Sequence, residues 1–161
     1  MDEEAGGRAL AALAAWTVPL IQFNGMVAAA LGVTDTGLQC LYALSTHGPA
    51  TAGELARRVN LTTGAASRMI DRLYAAGYVR RVPDPADRRR VRVEPTAEAL
   101  DRVAAHYRPL TDRFATDLAV FDTDGLAALV RFLEAAERST ETEIRRLRPA
   151  PPAPEGPVST G

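Results

Sequence analysis

The stretch Thr51–Pro95, TAGELARRVNLTTGAASRMIDRLYAAGYVRRVPDPADRRRVRVEP, decides the fold. Thr51 with Glu54 three residues on fits a capping box, in which hydroxyl and carboxylate satisfy two amides that a helix start leaves bare. A short helix therefore begins here, with Leu55, Ala56 and Val59 on its inner face. The turn RVNLTT leads into another helix, in which Ala66, Met69, Ile70 and Leu73 recur at 3–4 spacing and point inward. Gly77 is placed to close that helix in the left-handed conformation. Two short β-branched strands follow, 78–82 and 90–94, bracketing a seven-residue loop. Helix, turn, helix and hairpin in this order describe a winged helix-turn-helix.

Charge follows the motif. The segment holds ten of the chain's 19 basic residues and five of its 20 acidic ones, so it carries about +5 while the rest carries about −6. A winged helix-turn-helix lays one helix in a DNA groove and reaches its wing to the backbone beside it, and the positive charge stands where DNA would lie. Turning Ala66, Met69, Ile70 and Leu73 inward leaves Thr63, Gly64, Ser67, Arg68 and Asp71 on the outer face. Thr62 and Thr63 stand at the helix N-terminus, where free amides and the dipole favour a phosphate. Gly64 lets a backbone approach closely. Ser67 can bond a base edge or a phosphate, and Arg68 can fork onto guanine or bind phosphate. Arg72 lies one turn on and braces the backbone. In the wing, the guanidiniums of Arg88, Arg89 and Arg90 suit a narrow minor groove, where the potential is most negative. Arg57 and Arg58 are candidate phosphate contacts, and a purely solvated role suits either equally.

The flanks are helical. Ala9–Leu31 is a mostly apolar helix that Pro19 should kink or split and Gly32 should stop. Thr34–Ser45 is a second, with Leu38, Leu41, Tyr42 and Leu44 as its buried stripe. Thr96 caps a long helix carrying Leu100, Val103, Tyr107, Leu110, Phe114, Leu118 and Phe121, interrupted at Pro109. Asp122–Asp124 precede a last helix, in which Leu126, Leu129, Leu133, Ala136, Thr140, Ile144 and Leu147 keep 3–4 spacing. The Pro-rich tail, 149–161, is expected to be disordered. The fold class is thus mainly α. Residues 34–95 form the winged helix-turn-helix, and residues 9–31 and 96–148 form a helical region more apolar than one small domain can bury. A second copy is the economical cover for it, so a homodimer is expected.

Composition sets outer bounds. At 161 residues and 47% apolar content, one domain core is the default. All 19 basic residues are arginine, which weakens any argument that a given arginine was chosen over lysine. Cys40 stands alone, which suits a reducing compartment; amid Leu38, Leu41 and Tyr42 it reads as a small hydrophobe rather than a sensor. The acidic opening, Met1 to Glu4, is the reverse of a signal peptide, and no uninterrupted apolar run approaches a membrane span. A soluble cytoplasmic protein without membrane contact is expected. His47 and His106 are isolated, so neither metal nor cofactor is implied. No nucleophile–base set or phosphate loop stands out, and the chain does not read as an enzyme.

The run from Asp71-Arg72-Leu73 through Gly77-Tyr78-Val79-x-Arg81 to Asp87-Arg88-Arg89, followed by Thr96, resembles the MarR family of bacterial transcription regulators across residues 10 to 147. The resemblance implies a triangular homodimer whose terminal helices interlock and whose lobes reach successive major grooves of a palindromic operator on double-stranded DNA. By the same resemblance Arg88 is the inserted wing residue, Asp87 pairs with an arginine to shape the loop, and Arg81 joins the DNA-binding set. Ala99 stands where the family usually has Gly, and Ala86 where it often has a basic residue. Many relatives bind a small phenolic or anionic effector, for which Trp16, Phe23, Tyr42 and Tyr107 could line a pocket; the same aromatics equally describe core. Two other readings stay open: a winged-helix sensor of another class, and a winged helix used only for protein contact. The resemblance favours a repressor.

Overall fold

The computed structural model describes residues 3–148; the tail expected to be disordered lies outside them. The elements are α1 (Glu3–Leu31), α2 (Asp35–His47), α3 (Ala52–Arg58), α4 (Thr63–Ala75), β1 (Val79–Pro83), β2 (Val91–Pro95), α5 (Ala97–Leu118) and α6 (Thr123–Leu147). They fall into two compact units, residues 3–110 and 111–148. The first holds α1 to β2 with the first half of α5. Its core draws Val27, Ala28 and Leu31 from α1 and Ala99 from α5, together with Leu38, Leu44, Leu55, Met69, Leu73 and Val93. This shared burial groups α1 and the start of α5 with the winged region, although sequence had set them apart. The second unit holds the end of α5 and α6, which has no buried residue.

Caps fix the helix starts. Thr34, Thr51, Thr62 and Asp122 each accept an amide from the first turn of their helix. At α3 the box is complete: the Thr51 amide donates to Glu54 Oε2 at 2.7 Å, and the Glu54 amide donates to the Thr51 hydroxyl at 3.3 Å. Thr96 caps α5 through the Ala99 amide. The ends of α3 and α4 share one device. Asn60 (φ 54°) and Gly77 (φ 76°) turn left-handed, and the following amides, Leu61 and Tyr78, reach back to the Ala56 and Leu73 carbonyls. Asn60 thereby makes the turn between the two helices; its short polar side chain makes this conformation one of the cheaper non-glycine choices.

Several expectations need correction. α1 begins at Glu3, six residues earlier than read, with Glu3 and Glu4 favourably placed at its positive end. Neither Pro19 nor Pro109 breaks its helix; each removes one amide donor from a helix of 29 or 22 residues, and the remaining bonds carry the chain through. Tyr42 is not part of the buried stripe of α2: it is 70% exposed, while Gly37, Cys40 and Ala43 are buried with Leu38, Leu41 and Leu44. The stripe is broad, and one step of about 100° beyond Leu41 carries Tyr42 off it. α5 stops at Leu118, so Phe121 lies outside it. α1 is also long and apolar enough to meet the length and composition of a membrane span, with Thr17, Gln22 and Asn24 as its polar interruptions.

The hairpin pairs Val79 with Pro95 through Pro83 with Val91, one residue later in each strand than expected. Tyr78 gives its amide to the closing turn of α4, and Arg90 gives its amide to Asp87 in the loop, so neither opens a strand. A two-way bridge between Ala50 and Val93 adds a short third edge and ties the α2–α3 link to the wing.

Cys40 is fully buried, and burial pushes its thiol up to about 11, which keeps it neutral. Tyr78 is the joint of the first unit. Its hydroxyl donates to the Leu31 carbonyl at the end of α1 (2.5 Å), and the Arg102 guanidinium of α5 lies over its ring at 4.7 Å. Its carbonyl accepts from the Thr96 amide. Tyr78→Phe leaves the Leu31 carbonyl buried without its donor and should cost about 1–2 kcal/mol. Thermal unfolding should shift down by several degrees; an unchanged midpoint would show that the hydroxyl bond contributes nothing.

Candidate nucleic-acid interface

The outer face of α4 is solvent-facing as the 3–4 spacing requires: Thr63, Gly64, Arg68 and Asp71 are exposed and Ser67 is partly so. Their local bonds sort them by availability. Thr62 spends its hydroxyl oxygen on the Ala65 amide (3.2 Å), so its first role is the cap. Ser67 donates to the Thr63 carbonyl one turn back at 3.0 Å and keeps its oxygen free to accept. The Arg68 guanidinium lies 3.7 Å from where a Gly64 Cβ would stand, an ordinary contact distance. Arg72 leans back along its own helix, with Nη2 3.7 Å from the Met69 sulfur. It borders a cavity of about 90 Å³ lined also by Gly32, Val33, Thr34 and Met69, too small for a drug-sized ligand.

Asp71 pairs with Arg81 of β1, and the same guanidinium lies over the Tyr74 ring at 4.9 Å. Arg81 thus pins the wing's first strand to α4, and its charge is already countered. Arg80 pairs likewise with Glu94 across the hairpin, Nε to Oε1 at 2.7 Å. On α3, Arg58 donates to the Gly48 carbonyl at 2.8 Å, and Arg57 is exposed.

The loop between the strands is held by its aspartates. Asp84, 6% exposed, accepts the Ala86 amide at 2.9 Å, and its own amide donates to the Arg90 carbonyl. Asp87 accepts the Arg89 amide at 3.0 Å, and its carbonyl accepts the Arg90 amide. Asp87 does shape the loop, but through backbone amides, where an arginine side chain had been expected. Side chains that bond the backbone two residues on are what make Asp a turn residue. The result is a fixed tip from which Arg88 and Arg89 project, both exposed and, among the described contacts, without a carboxylate partner.

Arg90 differs. Its Nη2 stands 3.6 Å from Glu54 Oε1 in the capping box. The Thr51 amide and hydroxyl, followed by Arg90 and Arg92, hold the Glu54 carboxyl below the usual carboxylate range. Arg92 donates to the Pro49 carbonyl, and its Nε is buried without a hydrogen-bond partner. Sequence reasoning missed Asp84 and Arg92 in this region, and it read Glu54 only as a cap, without its contact to Arg90. The spacing of Asp84 and Asp87 in a Pro-containing loop was a usable signal; the link from Glu54 to Arg90 spans 36 residues and had none.

Of the aromatics offered as a pocket, Phe23 and Tyr107 meet edge-on, with ring centroids 5.4 Å apart, and both pack against the core. The Tyr107 hydroxyl donates to Asn24 Oδ1 at 2.7 Å; burial first, then nearby Tyr42, raises it above its ordinary value. Trp16, two turns earlier on α1, is 43% exposed. Among the described residues there is no group of three His, Cys, Asp or Glu side chains that could hold a metal.

A family model described as MarR family matches residues 33–91. The chain is 34% identical over 128 residues to the uncharacterized HTH-type transcriptional regulator YcgE of Bacillus subtilis, covering 80% of this chain and 83% of that one. Among solved structures, a MarR family protein from Bacillus stearothermophilus superposes with a TM-score of 0.65 at 20% identity, over 88% of this chain and 99% of that chain. A mutant of S. aureus MepR bound to an oligodeoxyribonucleotide gives a TM-score of 0.57 at 16% identity, over 82% and 97% respectively. The chain belongs to the MarR family of transcription regulators, and its winged helix-turn-helix is the DNA-binding fold of that family.

Proposed function

We propose that this chain is a homodimeric repressor that binds a palindromic operator and is released by a small anionic or phenolic effector. The observation that carries the DNA reading is the pairing, within one compact unit, of an exposed α4 face with a fixed wing tip whose Arg88 and Arg89 lack carboxylate partners. α4 enters the major groove, with Arg68, Ser67, Thr63 and Gly64 nearest the bases and the Thr62 end and Arg72 toward phosphate. Arg88 enters the adjacent minor groove, with Arg89 beside it. The bound oligodeoxyribonucleotide in the MepR structure supports the same reading for this fold. A cytoplasmic location follows from it.

The dimer reading rests on apolar surface. Leu10, Ile21 and Met26 of α1 are each at least 65% exposed, and α6 exposes Val130, Phe132, Leu133, Ile144 and Leu147. Apolar side chains gathered along one helix in this way mark an interaction surface. A second copy presenting the same helices covers it with a self-complementary interface. Sedimentation of the full chain should give a dimer, and of a chain ending at Asp122 a monomer or an aggregate. A well-behaved dimer from the shortened chain would overturn the assignment of α6 to the interface.

Binding should be specific for a two-fold site with half-site centres about 10 bp apart. Affinity should fall steeply with salt, each neutralised phosphate adding about −0.9 to the log–log slope. Arg88→Ala should weaken chiefly those sites with a narrow, AT-rich minor groove. Arg68→Ala should cost roughly 1–3 kcal/mol and change the preference at one base pair if the side chain forks onto guanine. If it binds phosphate, all duplexes should weaken alike and the slope should fall by about one. Competition binding on a randomised operator set separates these; wild-type affinity and selectivity in both variants would displace the DNA-reading face from α4 and the wing.

For the effector we assign the aromatic face formed by Phe23, Tyr42 and Tyr107, with Trp16 above it on α1. Exposed Tyr42 beside a hydroxyl already bonded to Asn24 supplies an apolar wall with two polar ends. A panel of phenolic carboxylates should include a compound that quenches the single tryptophan and releases operator, and Tyr42→Ala should lose that response. Release that persists unchanged in Tyr42→Ala would place the site elsewhere.

A further inference from the structure

The basic segment is not uniformly basic. Arg80 and Arg81 are neutralised within the fold, and the wing itself is graded: Arg88 and Arg89 point free while Arg90 faces Glu54. Glu54 is well placed to hold it. One carboxylate oxygen is fixed at 2.7 Å by the Thr51 amide, so the other presents its charge at 3.6 Å from Arg90 with little rotamer freedom left to lose. Arg92 adds its field to the same carboxylate from the neighbouring strand position, tied by its own bond to the Pro49 carbonyl. The base of the wing is thereby fastened at two points, to α3 by Glu54–Arg90 and to the link before α3 by the Ala50–Val93 bridge.

We propose, resting on the reading that this winged helix binds duplex DNA, that Glu54 is a positioning residue: its carboxylate keeps Arg90 out of the phosphate-binding set and fastens the wing base to α3. Arg90 then serves the aim of Arg88 and Arg89 and is not itself a DNA contact. The electrostatic footprint is one cation smaller at the wing than the run Arg88-Arg89-Arg90 suggests. Because phosphate contacts add affinity without regard to sequence, withholding one limits attachment to random duplex while the tip stays aimed.

The test is the salt dependence of binding to a random-sequence duplex, measured with the full chain by fluorescence anisotropy between 50 and 200 mM salt. In Glu54→Gln the amide oxygen can still complete the capping box, since Gln serves at that position as Glu does, so melting midpoints should match wild type. The charge that holds Arg90 is gone. The log–log slope should steepen by about 0.9, an extra loss of roughly 3.5-fold over a fourfold rise in salt. Arg90→Ala should leave the wild-type slope unchanged but remove the extra increment in the Glu54→Gln background. A slope that falls by about one in Arg90→Ala alone would show that Arg90 already binds phosphate, and would overturn the proposal. An unchanged slope in Glu54→Gln, or an increment that survives Arg90→Ala in that background, would overturn it as well. A wild-type chain that ignores every duplex would instead overturn the DNA-binding reading, and the proposal with it.

Discussion

The closure of α4 is the constraint on which the first unit depends. Gly77 reverses the chain in a conformation that costs most residues a steric penalty, and Tyr78 is delivered by that reversal into a buried position. From there one side chain meets two elements, the end of α1 through its hydroxyl and α5 through the guanidinium on its ring, and β1 follows it directly in the chain. Thr96 completes the joint by donating its hydroxyl to the Gly77 carbonyl and its amide to the Tyr78 carbonyl, while its hydroxyl oxygen caps α5. The start of α5, the end of α1 and the end of α4 are therefore fixed against the same two residues. A bulkier residue at 77 would disturb all three together.

Electrostatics then sorts ten arginines into different tasks. Those opposite a carboxylate brace the fold: Arg81 holds β1 to α4, Arg80 crosses the hairpin, and Arg90 meets the cap of α3. Part-exposed pairs of this kind contribute little to stability, typically ~0–1 kcal/mol. Their effect on orientation and on the count of free charges is larger than their effect on folding. Of those that meet no carboxylate, Arg58 and Arg92 bond backbone carbonyls and Arg72 lies against the Met69 sulfur, while Arg68 on α4 and Arg88 and Arg89 at the tip have no such contact among those described. The buried Asp84 fits the same scheme: its carboxylate is satisfied by an amide, so it shapes the loop without calling on an arginine.

How much of this was legible in sequence depended on range. The capping box at Thr51 and Glu54, the inward set Ala66, Met69, Ile70 and Leu73, and the left-handed Gly77 are decided within one or two helical turns, and the structure places all of them as the spacing implied. The failures come where a longer-range partner or a helix's length decides. Pro19 and Pro109 read as breaks because a local rule was applied to helices long enough to absorb it. Tyr42 read as core because its neighbours are. The strand bounds slipped by one because the Tyr78 amide is taken by the closing turn, which periodicity alone does not see. Asp87 was given an arginine partner when a backbone amide two residues away was nearer, the commoner choice for an aspartate in a turn. In the site, the outer face of α4 was legible because it is the complement of the core face; the restraint on Arg90 was not, since nothing local connects residues 54 and 90.

α5 carries the remaining consequence. Its first turns lie in the joint, with Ala99 buried and Arg102 on Tyr78; its later turns and all of α6 offer apolar side chains with no buried position among them. Alanine at 99 suits this role, since an alanine in the first turn stiffens the helix where it leaves the joint. α5 runs on from the joint without a break at Pro109. Arg102, Thr96 and Tyr78 fix the start of α5 against the end of α4 and the end of α1.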